Sequence, residues 1–379
     1  MDYLLAEEQI MLKDMVAKFA KDKIAPFASD NEKNHRYPAE IIREAGELGL
    51  MGIAYPTEYG GSGMDYMSYF LAVEEISRWC ASTGVIISAH SSLVCDPIYR
   101  FGTEEQKQKY LPDLLSGTKL GSFSLTETGA GSDSGATRTT AKFENGKWII
   151  NGSKMFATNG KEADVFIIIA STDHAAKTRG ISAFIIEAGT PGCTVGKVEM
   201  KLGIRSSSTT EIILDNVEVP PENLLGPLNS GFKLAMTTLD GGRLGIAAQA
   251  LGIARACIED SVKYSNERVQ FDQPISSLQA IQWMLAEMKT EYDAAWLLVY
   301  RASLMKDLKM PYSAEAAMAK LKSSEVAMDC ARKAIQIFGG YGYTEDFNVE
   351  RYYRDAKITE IYEGTSEIQK LVISRSMIK

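Results

Sequence analysis

The residue pattern of this chain changes character twice, and this change restricts the possible folds more than any single motif. Between about residues 119 and 228, short apolar runs at 165–170 and 181–186 are bounded by turn residues, as buried strands are. Asn145-Gly146, followed by a strand-like stretch at 147–152, is a strong hairpin signal. On both sides of this region the apolar residues recur at helical intervals. The pattern therefore predicts a β region between two helical regions.

The helical regions carry their own signals. Ile10, Met15 and Phe19 lie on one helical face, and Thr103 with Gln106 has the spacing of a capping box. After residue 230, Ala250, Ile253, Ala254 and Cys257 mark another apolar face. We predict a mainly helical α+β chain with a helical domain at 1–118, a β domain at 119–229 and a second helical domain at 230–379.

Charge and composition exclude several classes of function. The net charge is −8, from 41 basic and 49 acidic residues, and no block of like charges suggests a nucleic-acid partner. The five cysteines and three histidines are scattered, without the spacing of a disulfide framework or a zinc site. No apolar run is long enough to span a bilayer, and the acidic N-terminus is unlike a signal peptide. We expect a cytoplasmic protein that binds neither membrane nor metal.

The segment Ile361-Tyr-Glu-Gly-Thr-Ser-Glu367 contains a candidate proton-abstracting base. Glu363 precedes a glycine that lets a ligand approach the backbone, just before a helix that Ser366 and Gln369 are spaced to cap. The alternative is a carboxylate that only complements the positive end of the helix dipole.

Four further segments are candidate ligand-binding segments, and each also has a purely structural interpretation. The stretch Phe123-Ser-Leu-Thr-Glu-Thr-Gly-Ala-Gly-Ser132 is not a Rossmann fingerprint, because a strand and not a helix follows it; it is either a plain loop or a loop that binds a ligand through its amides and hydroxyls. Phe156-Ala-Thr-Asn159 and Gln336-Ile-Phe-Gly-Gly340 end predicted elements. Asp240-Gly-Gly-Arg243 places two glycines inside a helical pattern, at a cost of roughly 1 kcal/mol each, which hints at a bound group or close helix packing.

In this order, the motifs resemble those of the acyl-CoA dehydrogenase family of flavoproteins, most closely its short-chain, butyryl-CoA type. The similarity extends from end to end and rests on Leu125-Thr-Glu-x-Gly-Ala-Gly-Ser-Asp133, Phe156-Ala-Thr-Asn159, Lys201-Leu-Gly-Ile-Arg205, Asn266-Glu-Arg-x-Gln-Phe271, Gln336-Ile-Phe-Gly-Gly-Tyr-Gly342 and Ile361-Tyr-Glu-Gly-Thr-Ser-Glu367. The resemblance implies a β-sheet or barrel domain in the middle and a four-helix bundle at the C-terminus. It also implies a homotetramer, a dimer of dimers, with one non-covalent FAD per subunit shared across a dimer contact.

Residue roles follow from the same resemblance. Thr126 would bond the pyrimidine side of the flavin, Thr158 would approach flavin N5, and Arg268 would hold the pyrophosphate from the neighbouring subunit. The full set of expected FAD-binding residues is Phe123, Leu125, Thr126, Gly131, Ser132, Phe156, Thr158, Arg268, Phe271, Gln279, Gln336, Gly339, Gly340, Thr365 and Glu367. The expected acyl-CoA-binding residues are Ser132, Asp240, Arg243, Tyr362 and Gly364.

The implied reaction is FAD-dependent α,β-dehydrogenation of a short-chain acyl-CoA to the trans-2-enoyl-CoA. Glu363 would remove the α-proton while flavin N5 accepts the β-hydride, and an electron-transferring flavoprotein would reoxidise the flavin. Some relatives carry the base at the position of Gly242, which has no side chain here, and Glu360 is interpreted as structural. The alternatives are an enoyl-CoA reductase, a flavin oxidase, and a non-catalytic flavin- or acyl-CoA-binding subunit of an electron-transfer assembly.

Overall fold

The N-terminal region of the computed structural model, which describes residues 1–378, is helical, as predicted. A capping box at its last helix links Thr103 and Gln106, because each side chain bonds the other residue's backbone N–H. The helices are α1 (Glu7–Phe19), α2 (Ala25–Lys33), α3 (Ala39–Glu47), α4 (Tyr66–Trp79), α5 (Ala81–Ala89), α6 (Asp96–Phe101) and α7 (Glu104–Leu115), with π-helical segments at Ala20–Ile24 and His90–Cys95.

The middle region is a β-sheet in which the two predicted apolar runs form central strands. Its strands are β1 (Gly121–Ser124), β2 (Thr140–Glu144), β3 (Lys147–Thr158), β4 (Val165–Ser171), β5 (Ile181–Glu187), β6 (Cys193–Val198), β7 (Thr209–Val219) and β8 (Leu224–Leu225). The order is β6-β7-β3-β2-β4-β5-β8, and β1 pairs in parallel with β4. Phe123, expected at the start of a loop, lies in β1 opposite Ile167, so the loop begins at Leu125.

Strand β4 is buried on both faces, which explains why its sequence is continuously apolar. Val165, Ile167 and Ile169 face a core shared with α6 and α7, whereas Phe166 and Ile168 face a second core formed within the sheet region. The sheet therefore packs against the N-terminal helices and holds the ends of β1 and β3 next to each other.

The C-terminal region contains long helices that pack together. They are α8 (Gly231–Glu267), α9 (Gln279–Asp307) and α10 (Ser313–Phe338), followed by the shorter α11 (Val349–Ile358) and α12 (Ser366–Met377); a two-stranded ribbon joins β9 (Val269–Gln270) to β10 (Gln273–Pro274). Helix α8 packs against α4, α5, α9 and α10, and α12 packs against α10. The predicted order of a helical region, a sheet and a second helical region is confirmed. Among residues 1–378, no helix is long and apolar enough to cross a membrane.

Candidate active site

The segment between α11 and α12 presents Glu363 in an uncommon backbone conformation. Glu363 has φ +52° and Gly364 has φ +97°, so two successive residues are left-handed, which strains a residue with a side chain. The helix that follows is capped by Thr365, whose hydroxyl accepts from the Ile368 N–H, and not by Ser366 as its spacing suggested. The correction shifts the cap by one residue and leaves Glu363 in the loop before the helix.

The Glu363 carboxylate lies against helix α8 and the segment that precedes α6. One carboxylate oxygen, Oε2, is shielded from solvent and has no hydrogen-bond partner. A Cβ added to Gly242 would lie 2.7 Å from the Glu363 Cδ and 2.7 Å from the Leu93 Cδ2, and still closer to Oε2. Glycine at position 242 is thus what leaves space for this carboxylate. An unpartnered buried acceptor is the arrangement that a proton-abstracting base requires.

Electrostatics around Glu363 favour a base that works near neutral pH. Burial raises the pKa of Glu363 to about 8, and the cations of Lys320 and Arg243 oppose this increase. Arg243 is buried and ion-paired with Asp240, with 2.5 Å between Nη1 and Oδ1. Asp240 also accepts a hydrogen bond of 2.8 Å from the Ser313 hydroxyl. Asp240 and Arg243, which are predicted to bind acyl-CoA, therefore lie in the same neighbourhood as the candidate base Glu363.

Tyr362, which precedes Glu363, is held by a buried side chain of helix α8. The Tyr362 hydroxyl donates to Gln249 Oε1, and Gln249 Nε2 donates to the Ala81 carbonyl at 2.8 Å. Glu360, the neighbouring carboxylate, is instead ion-paired with Lys357, with 2.6 Å between Nζ and Oε2. This difference in surroundings favours Glu363 over Glu360 as the reactive carboxylate.

The predicted flavin-ring segments meet where β1 and β3 end. The Met155 N–H donates to the Thr126 carbonyl at 2.8 Å, and the Ser122 hydroxyl donates to the Thr158 carbonyl at 2.7 Å. Phe156 has φ +58° and is largely exposed. Gly131 and Ser132 are also exposed, and no atom lies within 4 Å of a Cβ added to Gly131. The arrangement leaves an accessible surface of hydroxyl, amide and aromatic groups.

A buried charge pair holds this loop from behind. Lys154 is fully buried, and its Nζ lies 2.6 Å from Glu127 Oε1 and 3.1 Å from the Leu125 carbonyl. Burial lowers the pKa of Lys154 to about 8. Burial alone would raise the pKa of Glu127, but the Lys154 cation and several hydrogen bonds outweigh this and lower it to about 2. The pair is ionised at neutral pH and fixes the backbone on which Leu125 and Thr126 lie.

A second group of predicted cofactor residues lines a separate groove of about 540 Å³. Arg268, Phe271, Gly339 and Gly340 are on its walls, and the Arg268 guanidinium lies 5.7 Å from the Tyr341 ring centroid. No atom lies within 4 Å of a Cβ added to either glycine, so the backbone there is open to a ligand. Gln336 is exposed in the last turn of α10, and Gln279 is exposed at the start of α9. A cationic, glycine-rich groove fits a pyrophosphate group.

Within residues 1–378, no hydrogen bond or ion pair connects this groove with Thr126 or Thr158. Thr365 and Glu367 lie at the start of α12, next to the Glu363–Gly364 segment and not in the groove. The single chain therefore presents the predicted cofactor residues as separate surfaces.

Sequence reasoning missed Lys320, Gln249 and the Lys154–Glu127 pair. It assigned Gln369 only to a helix cap, whereas Gln369 Nε2 donates to the Glu363 and Gly364 carbonyls. Lys320 had a visible signal, because it lies one helical turn after Ala316 in a segment whose Ala319 and Ser323 are also buried. A lysine on an otherwise small and apolar helix face is rarely buried without a partner. Gln249 has no comparable signal, since an isolated glutamine in a helix is ordinarily at the surface.

Comparisons with known proteins agree along the whole chain. Three family profiles match in succession: "Acyl-CoA dehydrogenase, N-terminal domain" at residues 6–118, "Acyl-CoA dehydrogenase, middle domain" at 122–217 and "Acyl-CoA dehydrogenase, C-terminal domain" at 229–378. The short-chain specific acyl-CoA dehydrogenase of Clostridium acetobutylicum is 52% identical over 379 residues and covers 100% of both chains.

Two solved structures are similar over their full lengths. Butyryl-CoA dehydrogenase from Megasphaera elsdenii has a TM-score of 0.98 and 46% identity, with 100% of both chains covered. A chain from structural work on the electron transferring flavoprotein of Acidaminococcus fermentans and flavin-based electron bifurcation has a TM-score of 0.99 and 52% identity, again covering 100% of both chains.

Proposed function

This chain belongs to the acyl-CoA dehydrogenase family of FAD-dependent oxidoreductases, and we propose that it desaturates a short, butyryl-like acyl-CoA with Glu363 as its base. The observation that carries the mechanism is the Oε2 atom of Glu363, which is shielded from solvent, has no hydrogen-bond partner and lies in the space that Gly242 leaves. The preference for a short acyl chain rests on the similarity to the Clostridium acetobutylicum and Megasphaera elsdenii enzymes.

The residues of the two cofactor surfaces fit FAD. The groove with Arg268, Gly339 and Gly340 would hold the pyrophosphate, and the surface formed by Thr126, Phe156 and Thr158 would bind the flavin ring, with the other predicted cofactor residues around them. When bound, FAD supplies the acceptor for the β-hydride. Large apolar side chains beside the groove, Phe271 and Tyr343 among them, are 84% and 87% exposed, and this supports the proposal that a neighbouring subunit of a homotetramer covers it.

Glu363 would take the α-proton of the thioester onto Oε2, leaving an electron pair that forms the Cα–Cβ double bond as the β-hydride departs. The thioester oxygen gains negative character during this step. Within the described residues the Glu363 N–H donates to no protein acceptor, so it is free to donate to that oxygen.

The experiment is anaerobic bleaching of the flavin spectrum by a series of saturated acyl-CoAs. We expect bleaching to be fastest with butyryl-CoA, and Glu363→Gln to retain FAD and acyl-CoA while its rate falls by at least about a thousandfold. The matched control is Glu360→Gln, in the same segment, which should bleach at nearly the normal rate. Normal bleaching by Glu363→Gln would overturn the assignment of the base, and preference for long chains would overturn the substrate class.

The same site can run in reverse, and one observation favours this second candidate. Similarity to the chain from work on flavin-based electron bifurcation supports an enoyl-CoA reductase that receives its electrons from an electron-transferring flavoprotein. Protonated Glu363 would then return its proton to Cα. Chemically reduced enzyme that is rapidly reoxidised by crotonyl-CoA, but not bleached by butyryl-CoA, would favour this direction. An electron-transferring flavoprotein is the proposed electron partner in either direction.

A further inference from the structure

Lys320 is a buried charge to which the mechanism above assigns no role. It lies on α10, its side chain is completely shielded, and its Nζ donates to the Gly364 carbonyl at 2.7 Å. Among the described residues, no carboxylate oxygen lies within 4.0 Å of this ammonium group. A shielded ammonium with one carbonyl acceptor is poorly compensated unless a nearby anion contributes through space.

The anion that most strongly stabilises the charged form of Lys320 is Glu363. Burial lowers the pKa of Lys320 to about 8, and Glu363 is the strongest influence that opposes this decrease, ahead of Glu360 and Glu367. In the other direction, Lys320 is the first of the two cations that counteract the effect of burial on the pKa of Glu363. The two groups therefore stabilise each other's charged forms.

The other groups that face Glu363 do not replace Lys320. Arg243, on α8, is already paired with Asp240 at 2.5 Å, so much of its charge is neutralised. Tyr69 on α4 and the adjacent Tyr362 are phenols whose pKa values burial raises, so both are neutral at neutral pH. Lys320 is thus the one nearby cation, within the described part of the chain, that no carboxylate contacts directly.

The backbone contact has a second consequence. Gly364 follows Glu363 in a left-handed conformation, and its carbonyl accepts from Lys320 and, at 2.8 Å, from Gln369 Nε2. Gln369 Nε2 also donates to the Glu363 carbonyl at 3.1 Å. These bonds hold a strained pair of residues in the observed conformation, in which the carboxylate faces Gly242.

We propose that Lys320 is the positioning residue of the base: it fixes the Glu363–Gly364 segment through the Gly364 carbonyl, and its buried ammonium group favours the ionised form of the carboxylate that abstracts the proton. The proposal rests on Glu363 being the base of the proposed function. It assigns Lys320 no contact with substrate or cofactor.

The first test is the pH dependence of flavin bleaching by butyryl-CoA in a single turnover. Since abstraction requires ionised Glu363, the rate rises with pH, and in Lys320→Met this rise should move to higher pH. We expect the rate near pH 7 to fall by about tenfold or more, and the deficit to shrink as the pH rises toward about 10. Lys320→Arg keeps the charge and should keep the rise where the unmodified enzyme has it.

The matched control is Lys322→Met, two residues further along the same helix. Lys322 is partly exposed and paired with Glu291, and it has no contact with the base segment. Its pH profile should coincide with that of the unmodified enzyme. If Lys320→Met gives the same profile as Lys322→Met, the proposal is overturned, whereas loss of bleaching in Glu363→Gln would still uphold the proposed function.

A double-mutant cycle in urea unfolding tests the same coupling without activity. Lys320→Met alone leaves Glu363 without its cation, so it should cost more stability at pH 8 than the same change in a Glu363→Gln background. If Lys320→Met does not fold, Glu363→Gln/Lys320→Met should regain folding. Additive effects, or a double variant that also stays unfolded, would overturn the proposal. The cycle measures the coupling between Lys320 and Glu363 even if Glu363→Gln bleaches normally. Failure of this proposal can therefore be distinguished from failure of the proposed function.

Discussion

Replacing Gly242 with alanine should impair the reaction far more than the fold. Position 242 is in the middle of α8, where alanine is favoured over glycine by roughly 1 kcal/mol. The added methyl would lie 2.7 Å from the Glu363 Cδ and still closer to Oε2, so reaching an ordinary contact of 3.4 Å requires the carboxyl group to withdraw by at least about 0.7 Å. The carboxylate is the end of a flexible side chain, so it can withdraw without disturbing the helix.

The expected magnitudes are therefore unequal. Overpacking against Leu93 Cδ2, at 2.7 Å, costs about 1 to 3 kcal/mol, and the helix propensity offsets part of this, so stability should fall by no more than about 2 kcal/mol. Displacing a catalytic group by about 1 Å can cost about a hundredfold in rate. We expect the bleaching rate with butyryl-CoA to fall by about tenfold to a hundredfold.

The adjacent Gly241→Ala variant is the control for this comparison. Its methyl would lie 2.8 Å from Lys306 Nζ, at the end of a long side chain that faces Asp96 and not Glu363, and 3.9 Å from the Tyr312 hydroxyl. Its bleaching rate should be close to normal. Urea unfolding and stopped-flow bleaching of both variants decide the matter. The reasoning fails if Gly242→Ala bleaches as fast as Gly241→Ala, or if both lose activity equally.

Three further predictions concern the pH dependence of stability and the cofactor surfaces. The Glu363 carboxyl loses its proton near pH 4.5 in the unfolded chain and near pH 8 in the folded chain, so between these values only the folded chain holds this proton and the free energy of unfolding should fall as the pH rises. The urea midpoint of Glu363→Gln should fall less over this pH range than that of the unmodified protein, and an equal fall in both would contradict the prediction. Lys154→Met leaves Glu127 buried without its cation and should cost about 3 to 5 kcal/mol of unfolding free energy, whereas Lys147→Met at the surface should stay within about 0.5 kcal/mol. Arg268→Gln should weaken FAD binding by about tenfold or more in titrations of the apoprotein, since a charge-assisted bond to phosphate is lost; unchanged affinity would argue against the groove as the pyrophosphate site.

Local signals predicted the elements of this fold well because neighbouring residues determine them. The apolar run at 165–170 lies in a strand that is buried on both faces, and Thr103 and Gln106 form the predicted capping box at the start of α7. The errors were also local and small. The helix cap is Thr365 and not Ser366, because the extended backbone of Thr365 orients its hydroxyl toward the Ile368 N–H. Phe123 joined a strand because β4 was available as a partner, and sequence periodicity does not show which strands pair.

The order of the motifs along the sequence was enough to indicate the family and the cofactor and to identify Glu363 as the candidate base, since motifs depend on residue types at characteristic spacings. The sequence also showed that position 242 lacks a side chain. Only the tertiary structure showed why this matters, because packing of the C-terminal helices brings Gly242 of α8 and Lys320 of α10 to the segment that contains Glu363. Shielding of the carboxylate, compensation by a buried cation and the unpartnered Oε2 atom all arise from contacts between residues far apart in the chain. Periodicity and spacing describe neighbours along the chain, whereas burial and charge compensation depend on neighbours in space, and it is these that decide which of two nearby carboxylates can act as a base.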